Sequence, residues 1–191
     1  HEYWEICNQY GGPGPNEIAF NPANELLRLV PWGGVASLVN RQSAEQSELN
    51  HNGVTSGLAY CFLPLPVQTG LPIMVNAFFE LSSNRRDVWQ AGVDMTGDGR
   101  TRAEWNVSLM RDILGPCYVR LLERLREAMG YCEAFQNIWP GLTVGAPWNN
   151  VVNSVLSRCK DKSLLAPVDR LAAAANSAKA IKITDLWIPC N

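Results

Sequence analysis

Two apolar segments near the middle of the chain predict a pair of β-strands. Residues 72–81 alternate with a period of two, which places one set of side chains on one face and the other set on the opposite face: Ile73, Val75, Ala77, Phe79 and Leu81 against Met74, Asn76, Phe78 and Glu80. Residues 57–65 are continuously apolar and are closed by prolines. Proline cannot donate to a strand ladder, so Pro64, Pro66 and Pro72 are expected at strand ends. We therefore predict that the two segments pair within one sheet.

A wide apolar stripe after residue 100 predicts the longest helix of the chain. Its apolar side chains recur at spacings of three and four residues: Met110, Ile113, Leu114, Cys117, Tyr118, Leu121, Leu122, Leu125 and Met129. Thr101 and Glu104 have the spacing of a capping box, and Gly130 is a typical C-terminal stop. Pro116 removes one hydrogen bond, so we expect a kink or a division into two helices there. The stripe must be covered, most simply by the sheet.

The first 56 residues combine short apolar runs with turn residues. The predicted elements are, in order, a strand at 3–7, a turn at 11–15, one helical turn at 21–25, strands at 26–30 and 35–39 around a turn at 31–34, and an exposed polar loop or hairpin tip at 42–53.

Beyond Gly130 the pattern becomes helical. The predicted elements are a short helix at 131–139, a second helix from Pro147 to about Lys160, a third from Pro167 through the alanines at 172–175, and a closing strand at 181–188. We therefore expect an α/β protein of the α+β type, in which a mixed sheet packs against a long kinked helix and the C-terminal part is rich in helix. Residues 1–130 would form the core, and residues 131–191 a helical extension packed on it.

The composition is that of one ordinary globular domain. Of 191 residues, 47% are hydrophobic and 18% are charged, with a formal net charge of −2, which excludes a disordered chain, a collagen and a coiled coil. No apolar run approaches the roughly 20 residues of a membrane helix. The 16 basic and 18 acidic side chains are spread along the chain without the basic cluster of a nucleic-acid surface. We expect neither a membrane nor a nucleic acid as a partner.

The six cysteines indicate free thiols. No two of them have the two to four intervening residues of a zinc knuckle, and four lie inside apolar or helical patterns, where a thiol behaves as a small hydrophobe. We therefore expect a reducing, cytoplasmic compartment. The chain opens at His1 without an initiator methionine or a signal sequence, so an excised segment of a larger protein is the expectation.

Three patterns that could indicate metal binding, phosphate binding or hydrolysis receive little support from the sequence. Residues 94–99 begin like a calcium loop, but Trp105 stands at the twelfth position, where a bidentate acid is required, so a solvated loop is the better interpretation and no metal is expected. No phosphate-cradling P-loop occurs. A hydrolase would have to recruit His51, near Cys61 or an acid, and the glycine-flanked nucleophile elbow is absent.

The polar segment after the second predicted strand is the strongest candidate site. Arg85 and Arg86 are adjacent, with Asn84 beside them, and guanidinium groups offer a planar fork to phosphate or carboxylate oxygens. The alternative is a strand-end turn in which one arginine pairs with Asp87 or Glu80, and sequence physics alone favours that turn.

The order of these central motifs resembles the block that recurs in the repeated regions of the sacsin family, including plant sacsin-like proteins. The matching residues are GLAYCFLPLP at 57–66, TGLPIMVNAFF at 69–79, SNRRD at 83–87 and RAEWN at 102–106 with the helix that follows. The resemblance extends over about residues 57–129 and is weaker at 147–148, 163–165 and 187–189.

The resemblance implies a large intracellular chaperone or co-chaperone of protein quality control. Each large repeat of that family begins with an ATPase-like domain similar to the ninety-kilodalton heat-shock chaperones, and this block lies downstream of it. The signatures of the nucleotide fold are missing here, so no cofactor is expected in this chain, while ATP and magnesium would belong to the neighbouring domain. The block is similar to the transducer or middle domain that follows such ATPases.

In those relatives the transducer domain supplies a basic residue to the terminal phosphate of the neighbouring domain's nucleotide. By position, the resemblance implies this role for Arg85 or Arg86, with Asn84 beside them and Gln68 as an accessory from the preceding polar loop. Gyrase-type relatives place a lysine after a Gln-Thr pair, whereas Gly70 stands there in this chain, which shifts the weight to the arginines.

Three hypotheses about function follow. The leading one is a non-catalytic segment that couples the adjacent ATPase-like domain to protein clients or co-chaperones, with Phe78, Trp89 and Trp105 as a partner surface. Burial against the sheet is the alternative for Trp89 and Trp105. The second hypothesis is a structural or scaffolding repeat without nucleotide contact, and the third is an autonomous hydrolase.

Overall fold

The computed structural model describes residues 2–41, 57–92, 96–160, 162 and 164. The strands are β1 (Glu2–Tyr10), β2 (Trp32–Arg41), β3 (Leu58–Cys61), β4 (Leu63–Gln68) and β5 (Met74–Ala77). The helices are α1 (Pro13–Ala19), α2 (Asp98–Leu109), α3 (Gly115–Met129), α4 (Glu133–Gln136) and α5 (Asn149–Cys159). The predicted loop at 42–53, the helix from Pro167 and the strand at 181–188 lie outside the described residues.

The five strands form one mixed sheet in the order β1-β2-β5-β3-β4. The β5–β3 pair is parallel, and the other three neighbouring pairs are antiparallel. Cys7, Val35, Val75 and Ala59 stand opposite one another across four strands, and all four are buried. The helices cover this face of the sheet. A mixed sheet with helices confirms the α+β class.

The alternation at residues 72–81 is confirmed, because Ile73, Val75, Ala77 and Phe79 are buried and the residues between them are not. The apolar run at 57–65 is not one strand. Phe62 adopts a left-handed conformation, with φ of 60°, and turns the chain from β3 into β4. Pro64 and Pro66 therefore lie inside β4 rather than at strand ends, which is tolerated because β4 is an edge strand.

The N-terminal region corrects two predictions. Residues 13–19 are helical and not a turn, because Pro13 occupies a first-turn position where a proline needs no N–H partner. Residues 26–30 are not a strand, since a 3-10 helix spans Pro22–Leu27, with Asn21 Oδ1 accepting a hydrogen bond from Ala23 N at 3.0 Å. The predicted turn at 31–34 overlaps the start of β2.

The long helical segment runs from Asp98 to Met129. It starts after Gly97, so Thr101 is inside the helix and does not cap it, and Glu104 pairs with Arg100 at 2.7 Å. The predicted capping box is therefore wrong. Gly130, with φ of 69°, ends the helix as predicted.

A π-helical turn (Met110–Leu114) joins α2 to α3 just before Pro116, so the expected division takes the form of a wide turn within one continuous helical segment. Having no N–H, Pro116 donates to neither the Arg111 nor the Asp112 carbonyl. The Ser154 hydroxyl of α5 donates to Arg111 O at 2.5 Å, and Gln9 Nε2 donates to Asp112 O at 3.1 Å. Two other elements thus satisfy the carbonyls in the wide turn.

The Asp112 side chain anchors α1 to this π-helical turn. Its carboxylate is 8% exposed, accepts a hydrogen bond from Gly14 N at 3.2 Å and pairs with Arg111 at 2.7 Å. The hydrogen-bonded Arg111 guanidinium holds the pKa of the Asp112 carboxyl below its usual range, against the opposing effect of burial. A Cβ at Gly14 would lie 2.6 Å from Asp112 Oδ2, so a larger residue there would displace this carboxylate.

The described cysteines, Cys7, Cys61, Cys117, Cys132 and Cys159, are free thiols. Burial raises the pKa of Cys159 to about 11, and it also raises the pKa values of Cys7 and Cys117. These thiols are therefore neutral side chains of the core. Among the helices of the described ranges, none is long and apolar enough to cross a bilayer.

Gly115→Ala should lower the free energy of unfolding by about 1–3 kcal/mol, as expected for overpacking. Its Cβ would lie 2.1 Å from Ser154 Oγ, which holds the π-helical turn. Urea unfolding followed by circular dichroism measures the change. Gly141→Ala is the control, because no atom lies within 4 Å of its added Cβ. Equal stabilities for the two variants would show that the approach of α5 does not require glycine.

Asp112→Asn should lower the free energy of unfolding by about 1–3 kcal/mol at neutral pH, because the amide cannot satisfy both Gly14 N and Arg111. The folded-state pKa of Asp112 is depressed, so its contribution is present above the usual carboxyl range and is lost as pH falls through the folded pKa. Urea unfolding from neutral to acidic pH should show a smaller acid-dependent loss in the variant. The exposed Glu17→Gln serves as control, and parallel pH curves for wild type and Asp112→Asn would contradict the assignment.

Candidate functional site

The segment Ser82–Asp87 forms a short hairpin, which we call the arginine hairpin. After β5 the chain runs on to Leu81, which forms a bridge with Val88. Ser82 N donates to Asp87 O at 2.9 Å and closes the loop. The two arms of the hairpin are therefore paired directly next to the turn that carries the arginines.

Short polar side chains fix the backbone at the tip of the arginine hairpin. Arg85 N donates to Ser82 O at 2.8 Å, and Arg85 adopts a left-handed conformation with φ of 55°. Asn84 Oδ1 accepts a hydrogen bond from Arg86 N at 3.0 Å and lies 2.8 Å from the Ser82 hydroxyl. Asn84 thus has a positioning role in the turn, in the manner of an Asx-turn.

The side chains of Arg85 and Arg86 are exposed, and neither forms an ion pair with a described residue. The two carboxylates considered as partners are engaged elsewhere. Asp87 Oδ1 accepts a hydrogen bond from Val88 N at 2.7 Å, and Glu80 pairs with Arg102 of α2. Within the described part of the chain, the hairpin therefore presents two guanidinium groups without a direct ion pair, beside the negative charge of Asp87.

Asn106 of α2 fixes the base of the arginine hairpin, and sequence reasoning missed this residue. It is 1% exposed. Its Nδ2 donates to Glu80 O at 2.7 Å and to Trp89 O at 2.9 Å, and its Oδ1 accepts from Glu80 N at 2.9 Å. One amide thus holds both strands of the hairpin. The signal available in the sequence was an asparagine on the buried side of a helix, where an unpaired amide is costly.

The residues at 102–106 have a common structural purpose. Arg102 pairs with Glu80, Trp105 Nε1 donates to Phe78 O at 2.8 Å, and Asn106 binds the hairpin base. The two separated motifs SNRRD and RAEWN therefore belong to one unit: the helix holds the hairpin, and the hairpin presents the arginines.

Gln68 does not join the arginines, which corrects its assignment as an accessory. It ends β4 and pairs with Leu58 at the start of β3. Because β3 and β5 are parallel, the arginine hairpin after β5 lies at the opposite end of these strands, towards Cys61. The loop after Gln68 is structural, since Thr69 is buried and its hydroxyl donates to Gly57 O at 2.9 Å.

Phe78, Trp89 and Trp105 do not form one surface. Trp105 is fully buried in the core, which corrects its assignment to a partner surface. Trp89 is half-buried, and its Nε1 donates to Gly99 O at 2.9 Å. Phe78 lies on the sheet face away from the helices, with its ring centroid 4.4 Å from that of Phe62 and 6.1 Å from that of Trp32.

The groups considered for catalysis are only partly described. His51 and the first residues of the calcium-like loop lie outside the described residues. Burial raises the pKa of the Cys61 thiol, although the charge of Arg85 acts in the opposite direction. Within the described ranges, no cluster of three or more acidic, histidine or cysteine side chains is placed to hold a metal ion.

A cleft of about 780 Å³ lies between α1, α2 and the residues before α5. Its walls include Glu17, Trp89, Arg100, Glu104 and Arg111. Arg100 and Glu104 neutralise each other, and Arg111 is held by Asp112. Of the charged residues named here, only Glu17 has no ion pair with a described residue, so the cleft offers a single negative charge, in contrast to the two guanidinium groups of the arginine hairpin.

The sequence of this chain is similar to that of a known protein. Over 128 residues, or 65% of this chain, the sequence is 37% identical to human sacsin. The match spans about 2% of the length of that relative. No protein-family profile matches the chain. No solved structure matches it. The chain therefore carries a sacsin-related region.

Proposed function

We propose that this chain is a non-catalytic segment of a large sacsin-like chaperone or co-chaperone, and that it couples an adjacent ATPase-like domain to the binding of a protein client. The similarity to sacsin supports the family context. The free thiols of the described ranges support a reducing, cytoplasmic setting. The arginine hairpin supports the coupling role, because it can carry an anion contact between domains.

One observation carries this proposal: Arg85 and Arg86 are exposed and without an ion-pair partner in the described ranges, on a turn that the Ser82 and Asn84 side chains hold. A fixed backbone lowers the entropy lost when guanidinium groups bind an anion. Planar guanidinium groups bind phosphate oxygens in a bidentate manner. An arginine supplied by a neighbouring domain can accelerate phosphoryl transfer, because it stabilises the charge that develops on the transferred phosphate.

The connection from the arginine hairpin to the core gives the coupling a physical route. Arg102 and Asn106 lie about one helical turn apart on α2. Arg102 pairs with the Glu80 side chain, and Asn106 binds the Glu80 backbone at the base of the hairpin. A contact made by the arginines is therefore transmitted to a helix that packs on the sheet. The adjacent domain would supply ATP and magnesium, and this chain would supply the guanidinium groups.

In a polypeptide that joins this chain to the expected ATPase-like domain, Arg85→Ala with Arg86→Ala should lower ATP turnover at least about tenfold, because an arginine acting on a transferred phosphate contributes far more than this. A steady-state phosphate-release assay measures turnover, and thermal unfolding checks that the fold is retained. Arg100→Ala, which removes an exposed arginine outside the hairpin, is the matched control. Unchanged turnover in the double variant would refute the coupling role and favour the scaffold described next.

A structural or scaffolding repeat is the second candidate function, and the sheet face away from the helices favours it. That face carries exposed Trp4, Ile6, Tyr10 and Leu38. Exposed apolar groups of this size mark sites of protein contact. A scaffold of this kind would need neither the arginines nor a nucleotide.

Asn106→Ala should lower the free energy of unfolding by about 2–4 kcal/mol, because it leaves the Glu80 amide and two carbonyls without their shared partner. Hydrogen exchange at Trp89 and Ser82 should accelerate more than exchange in β1, since their hydrogen bonds close the hairpin. The substitution Asn150→Ala, which removes a hydrogen bond to Pro147 O outside the hairpin, is the control. Uniform acceleration throughout the sheet would argue against a local clamp.

A further inference from the structure

The sheet has an open face, which we define as the side opposite the helices. Alternate residues of each strand point to it, and at described positions they are Trp4, Ile6, Asn8 and Tyr10; Trp32, Ala36 and Leu38; Leu58 and Tyr60; Pro64, Pro66 and Gln68; and Met74, Asn76 and Phe78. These side chains are aromatic, aliphatic, proline or amide. None of these positions carries a charge, and Glu80, two residues beyond Phe78, is paired with Arg102 of α2.

This composition departs from the usual pattern of a sheet with one solvated face, on which polar residues alternate outward. Ile6 is 57% exposed, Tyr10 67% and Phe62, at the end of β3, 59%. Trp32, Phe62 and Phe78 contact one another, with centroid separations of 6.4, 6.1 and 4.4 Å. The open face is therefore an apolar surface with an aromatic cluster, not a row of isolated side chains.

Described residues at both edges of the sheet disfavour the addition of a further strand. Along β1, Arg120 donates to Asn8 O at 3.1 Å and Arg124 approaches Ile6 O at 3.5 Å, so helix α3 occupies edge carbonyls. At the other edge, Pro64 and Pro66 have no N–H to donate. Prolines and charged side chains are the devices by which sheet edges resist pairing. A partner must therefore pack on the face through side chains.

We propose that the open face binds the open face of a second copy of this chain. Identical faces meet in an isologous dimer, so any charge at the centre would approach its own copy, and this face carries none at its described positions. From strand spacing and rise, the face has a projected area of about 500 Å², which does not include the added surface of protruding side chains. This is close to the roughly 600 Å² per partner at the lower end of specific interfaces. The two sheets would stack about 10 Å apart.

An apolar face of this area fits a weak dimer whose population depends on concentration. This inference does not depend on the coupling function. The arginine hairpin is outside the face, so Arg85→Ala with Arg86→Ala leaves the dimer unchanged, and failure of one proposal leaves the other standing.

Sedimentation velocity of the full chain, from low micromolar to several hundred micromolar, tests the proposal. We expect a concentration-dependent species of twice the chain mass. Leu38→Glu should raise the dissociation constant at least about tenfold, because each interface would bury two unpaired carboxylates. Leu142→Glu makes the same change at a residue outside the face that is 79% exposed and should leave the dissociation constant unchanged.

Ile6→Glu provides a second variant on another strand, in case Leu38→Glu does not fold as judged by circular dichroism. A monomer at every concentration would overturn the proposal and leave the face to another part of the polypeptide or to an unlike partner. A dimer that withstands the folded face variant, or that Leu142→Glu disrupts equally, would also overturn it by placing the interface elsewhere.

Discussion

The packing of one long helical segment against one face of the sheet determines the rest of this structure. The row Cys7, Val35, Val75 and Ala59 offers small buried side chains across four strands, and the stripe from Trp105 to Leu125 covers them. Burial of this area is the main favourable term in folding. Once the helix is fixed on that face, its position decides where α1, α5 and the arginine hairpin can attach.

The missing N–H of Pro116 shows how a local irregularity connects distant elements. A π-helical turn exposes the Arg111 and Asp112 carbonyls, and Ser154 and Gln9 reach them from α5 and β1. The Asp112 carboxylate on the same turn receives α1. π-helical turns of this kind are uncommon, and here the turn joins three elements at one point. A helix of regular geometry would leave those elements without a common attachment.

The sequence was most informative where structure depends on neighbours in the chain. Alternation identified the buried set Ile73 to Phe79, the apolar stripe identified the helix, and Gly130 identified its end. It was least informative where distant residues decide. Phe62 reverses the chain inside an unbroken apolar run, and the parallel pairing of β3 with β5 separates Gln68 from the arginines. The sequence predicted the exposed turn with Arg85 and Arg86. It did not predict the support from Asn106, because those hydrogen bonds join residues 17 to 26 positions apart in the chain.

The closure of both sheet edges limits the form that any assembly can take. A strand edge with unpaired amides invites addition of another strand, and then another, because each addition recreates the edge. Among the described residues, Arg120, Arg124 and the β4 prolines disfavour such additions at the two edges of the five-stranded sheet. A protein with an apolar open face and protected sheet edges can form finite complexes without polymerising into fibres.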